Sequence, residues 1–122
     1  MSTTDTIVVS LLGKNHHVVL PDFATREELI VAYGESAKKG GVALLRVYAA
    51  VLGACTRIGR EADADLAACR YDILTYGGKV YSYLREKGVS PKDIADQALP
   101  VVVHIGNTTF PRQAAVEETE GN

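Results

Sequence analysis

A chain of 122 residues is the size of one domain, long enough for a real core although it buries only about two-thirds of its unfolded surface. Hydrophobic content of 47% and charged content of 23% exclude a disordered chain. A net charge of −2, with 13 basic and 15 acidic residues scattered along the sequence, offers no field for nucleic acid and no local basic patch.

Residues 1–5 are short and polar, without a basic-then-apolar signal segment, and are expected to be flexible. The globular domain is expected over residues 6–110. Thr6 to Leu12 is β-branched and apolar, Gly13-Lys14-Asn15 has turn chemistry, and His16 to Leu20 resumes the strand pattern. Two short runs around a glycine-containing turn predict a β-hairpin, ended by Pro21. Thr25-Arg26-Glu27-Glu28 has the form of a capping box and predicts a helix starting at Thr25. That helix turns Leu29, Ile30, Tyr33 and Ala37 inward and closes at Lys38-Lys39-Gly40-Gly41, with cations at the negative end of the dipole and glycine at the exit.

A second helix follows at once, and its two faces are sorted by size. At about 100° per residue, Leu44, Leu45, Val47, Tyr48, Val51, Leu52, Cys55 and Ile58 fall on one half of the cylinder between Val42 and Ile58. Ala43, Arg46, Ala49, Ala50, Gly53, Ala54, Thr56 and Arg57 fall on the other. The bulky half must face a core. The slender half would let another backbone come close, which is the layout of a docking element; Arg46 and Arg57 are either two solubilising charges or anchors that bracket Ala50 and Gly53 for a partner helix.

Gly59 through Asp65 is a charged connection. A third helix then places Leu66, Cys69, Ile73, Gly77, Val80 and Leu84 on one stripe, and the stripe keeps phase across Gly77-Gly78. A continuous helix with close backbone approach at the glycines is therefore expected, the alternative being a break there. Four of the six tyrosines crowd this helix. Tyr71, opposite the stripe, is the best candidate for an exposed contact residue, since tyrosine is enriched where partners dock. Gly88 ends the third helix. Ser90-Pro91-Lys92-Asp93 starts a fourth, with Ser90 as N-cap and Pro91 at the first helical position. Pro100 biases Leu99 away from helix, so Val101 to Ile105 reads either as a short C-terminal strand pairing with the hairpin, which is favoured, or as a kinked helical continuation. Pro111 to Asn122 is polar and acidic, and a disordered tail is expected. The fold class is thus α+β and mainly α, a hairpin followed by three to four packed helices.

Constellations for chemistry are sparse. His16, His17 and His104 invite a metal, but adjacent strand histidines point to opposite faces and no further ligand has suitable spacing. Cys55 and Cys69 sit on apolar faces and read as buried thiols. There is no nucleophile elbow, and the glycine–lysine phrases around Lys38 and Lys79 lie inside helices in the wrong order for a phosphate loop. The acidic cluster Glu61, Asp63, Asp65 and Asp72 lacks EF-hand spacing. The expectation is a protein with no catalytic residues, metal or cofactor. No uncharged apolar run approaches membrane-spanning length, and the cytoplasm is the expected compartment.

The hairpin Thr6 to Leu20 running into Leu20-Pro21-Asp22-Phe23 and Thr25-Arg26-Glu27-Glu28, together with the phrase Tyr76-Gly77-Gly78-Lys79-Val80-Tyr81-Ser82-Tyr83-Leu84-Arg85-Glu86-Lys87-Gly88-Val89-Ser90, resembles the small tail assembly chaperones of long-tailed bacteriophages and related gene-transfer particles. The likeness covers most of residues 6–105 in layout. It implies a non-enzymatic protein that binds tape-measure and tail-tube proteins during tail morphogenesis in the host cytoplasm, self-associates, and leaves before the particle is complete. A structural particle component, such as a head–tail connector or tail terminator, is the alternative function.

Overall fold

The computed structural model describes residues 7–56 and 72–109. The expected flexible start, the charged connection at 59–65 and the acidic tail lie outside the described residues, as do Ile58, Leu66 and Cys69. The described part is α+β and mainly α: β1 (Val8–Leu11) and β2 (Lys14–His17) form a hairpin, followed by α1 (Phe23–Lys39), α2 (Gly41–Thr56), α3 (Ile73–Glu86) and α4 (Pro91–Thr109).

The hairpin is antiparallel, with Leu11 opposite Lys14, Val9 opposite His16 and Val8 opposite His17. Its turn sits at Leu12 and Gly13, earlier than the Gly13-Lys14-Asn15 expected, because both residues take a left-handed backbone, with φ of 57° and 74°. Two consecutive positive φ values make the tight turn whose twist matches paired strands. Lys14 and Asn15 are thereby released into β2. Strand alternation sends Val9 and Leu11 into the core and leaves Val8 and Ser10 outside. The hairpin is fastened at two points. The Ser10 amide donates to Gln97 Oε1 of α4 at 2.9 Å, and the Val19 amide donates to the carbonyl oxygen of Cys55 at the end of α2 at 2.8 Å.

α1 begins at Phe23, two residues before the capping-box reading. The cap is Asp22, whose Oδ1 accepts from the Thr25 amide at 3.3 Å. Asp22 precedes Thr25 by three residues, so the same spacing argument applies one register earlier, and Thr25 becomes the recipient rather than the cap. Asp22→Ala is expected to lower stability by about 1 kcal/mol, whereas Thr25→Ala, which removes no cap, should change it by less than about 0.5 kcal/mol; urea titration separates the two. The exit is as expected, with Lys38 and Lys39 in the last turn and Gly40 donating its amide to the Ser36 carbonyl at 2.8 Å.

α2 runs through the middle of the molecule. Every residue from Val47 to Thr56 is buried, and a helix that is apolar all round belongs inside a core. α3 has the same form of N-cap as α1, with Asp72 accepting from the Thr75 amide at 3.2 Å. It carries Ile73, Tyr76, Gly77, Val80 and Leu84 inward and is continuous through Gly77-Gly78. After Gly88, α4 starts as the sequence indicates, with Ser90 Oγ accepting from the Asp93 amide at 3.1 Å.

The favoured strand at 101–105 is not formed. α4 continues through Pro100 to Thr109. Val101, Val102 and Ile105 are buried while Val103 is 54% exposed, a helical rather than an alternating pattern. The run of β-branched residues is overridden because 94, 98, 101, 105 and 109 line one helical stripe, and all five are buried against the rest of the core.

Candidate functional site

The slender half of α2 is closed, which corrects the docking expectation. Ala49 and Ala50 are fully buried, and Gly53, Ala54 and Thr56 are buried with them. The backbone that comes close is the chain's own α3. At Gly77 an added Cβ would overlap the carbonyl oxygen of Arg46 and lie 3.2 Å from the Ala50 Cβ. At Gly53 it would lie 2.8 Å from Val80 Cγ2 and 2.9 Å from the Tyr76 hydroxyl. Gly77 thus makes room for the backbone of α2 and Gly53 for Val80 and Tyr76, so Ala50 and Gly53 present no surface to a partner. Arg57 and Tyr71 lie outside the described residues. Of the five candidate contact residues, Arg46 is described and exposed.

Arg46 stands on the rim of an open cleft of about 670 Å³ between α2 and the outer side of α3, which is also lined by Leu74, Lys79, Ser82, Tyr83 and Glu86. Gly78 lines it too, and a Cβ added there would lie 3.7 Å from Arg46 Nε. Neither Arg46 nor Lys79 has a hydrogen bond or ion pair among the described residues. Lys87 adds positive charge nearby, its ammonium 5.7 Å from the Tyr83 ring centroid. Lys79, Ser82 and Tyr83 gain meaning only once α3 is laid beside Arg46. The sequence carries a signal for this only in the small residues at 50 and 77, which meet where the helices cross.

The histidines do not converge on a described cluster. His16 Nε2 is 3.2 Å from the Leu11 carbonyl oxygen in the hairpin, His17 is exposed, and His104 is half-buried on α4. Among the described residues there is no group of three metal-ligating side chains. Cys55 is buried. Burial, reinforced by the neighbouring Tyr33 hydroxyl, pushes the Tyr48 hydroxyl above its ordinary 10.0, and the two rings pack at 6.0 Å. This is core packing with a phenol kept neutral rather than a base poised near neutral pH.

Large apolar side chains are exposed at scattered positions, including Phe23 and Val31 on α1 and the one-turn pair Leu99 and Val103 on α4. No described helix is long and apolar enough to cross a membrane. No protein-family model, curated protein or solved structure matches this chain.

Proposed function

We propose that the protein is a non-enzymatic assembly chaperone for the tails of long-tailed bacteriophages or related gene-transfer particles. It binds tape-measure and tail-tube proteins in the host cytoplasm during tail morphogenesis. The observation that carries this reading is the order of elements. A hairpin feeds a helical bundle, and the phrase from Tyr76 to Ser90 forms the end of one helix, a glycine exit and the capped start of the last, in the layout on which the resemblance to those chaperones rests. An open cleft with unpaired cations and a scatter of exposed apolar side chains suits binding of a protein partner.

The test is co-expression of the tagged protein with the tape-measure and tail-tube subunits encoded beside it, paired with an immunoblot of purified particles. The expected result is co-elution with one or both subunits and absence from finished particles. A protein that binds neither subunit and is retained in the particles is a structural component instead, and that result overturns the chaperone reading.

A further inference from the structure

The cleft beside Arg46 holds groups that the packing of α2 on α3 does not require. The helices meet through Ala50, Gly53, Tyr76, Gly77 and Val80, none of them charged. Arg46 and Lys79 nevertheless line this cleft together, with no carboxylate paired to either among the described residues. The planar fork of an arginine matches the two oxygens of a carboxylate. Ser82 and Tyr83 add hydroxyl groups along the same wall. Glu86 stands two helical turns beyond Gly78 and repels acid there, so the negative charge of a ligand is directed to the Arg46 end. Leu74, 41% exposed, offers apolar contact at the opposite end. From Leu74 to Glu86 the wall is about 18 Å long at 1.5 Å per helical residue, which takes an extended segment of about five residues.

We propose that this cleft binds an acidic peptide segment of the protein's partner, with carboxylates held by Arg46 and Lys79. The origin of the segment in a tail protein rests on the chaperone reading; the cleft's preference for carboxylates does not. Exposed charges are screened by salt, so the binding weakens as ionic strength rises.

The probe is a fluorescein-labelled hexaglutamate peptide, followed by fluorescence anisotropy at low salt with the intact protein. Wild type is expected to bind it. Arg46→Gln combined with Lys79→Gln should weaken binding at least about tenfold, the loss of two charge-assisted contacts. Lys38→Gln combined with Lys39→Gln removes the same charge from the exposed end of α1 and should leave affinity within about twofold, since only distant screened charge is lost. Neither pair lies in the buried core, and unchanged melting temperatures check that the variants fold. In the titration, three results overturn the proposal: no binding of hexaglutamate, equal weakening in both double variants, or displacement of the peptide by an equal concentration of inorganic phosphate. Hexaglutamate bound at the cleft by a protein that captures no tail subunit keeps the cleft and removes the chaperone. Capture of a tail subunit equally well by the Arg46→Gln, Lys79→Gln protein keeps the chaperone and removes the cleft.

Discussion

Replacing Gly77 with alanine is expected to destabilise the protein by about 3 kcal/mol or more, while the same change one residue later, Gly78→Ala, leaves stability unchanged or raises it by about 0.5–1 kcal/mol. In isolation both substitutions favour a helix, because alanine has a smaller conformational entropy to lose. Their environments differ. A methyl group at 77 would have to share space with the carbonyl oxygen of Arg46, a backbone atom in the middle of a packed helix. It cannot be accommodated by a change of rotamer, so α2 and α3 must move apart and loosen the contacts of Ala50, Gly53 and Val80. A methyl group at 78 meets the Arg46 side chain at 3.7–3.9 Å, an ordinary contact. Urea denaturation of the two variants gives the comparison directly. Equal stabilities would mean that α2 and α3 do not cross at Gly77.

A second pair of variants tests the conformation of residues 101–105. Ile105→Lys is expected to cost roughly 4 kcal/mol, a large part of the 5–15 kcal/mol that holds a domain of this size together. It removes a fully buried side chain and places an ammonium group in the same apolar core cluster that holds Leu29 and Leu52. Val103→Lys should change stability by no more than about 0.5 kcal/mol, because Val103 is 54% exposed and points away from the stripe formed by 94, 98, 101 and 105. In a strand, 101, 103 and 105 would share one face and the two lysines would be equally harmful. Thermal and urea unfolding of both variants decide between the helix and the strand.

The elements that were legible in the sequence are those whose signal is local. The Ser90-Pro91 start, the Gly40 and Gly88 exits and the hairpin's first apolar run each depend on residues within a few positions of one another, and each forms, whereas the second strand is Lys14–His17 and leaves Val18 to Leu20 beyond it. The turn was displaced because Leu12 adopts a positive φ, which nothing in a leucine announces. The cap of α1 was displaced because Asp22 and Thr25 are both competent caps, and only the entry path of the chain selects between them. The run at 101–105 failed for a different reason: a short β-branched stretch has no period of its own, and its partners in the core decide its state. The size sorting of α2 was visible and its bulky half was placed correctly. What the periodicity of one helix cannot say is whose backbone fills a slender face, and here the answer lies in α3, at Gly77. The candidate site was legible to the same degree. Arg46 stood out as a cation on a face of small residues, but Lys79 joins it only through the crossing of two helices.

The fastening of the hairpin to α4 spans 87 residues of sequence and sets an order on biosynthesis. Val9 and Leu11 emerge from the ribosome early, yet the helix carrying Gln97, Val101 and Ile105 is translated long after them. The nascent chain therefore cannot seal this interior before α4 has emerged; until then the hairpin must wait without that cover.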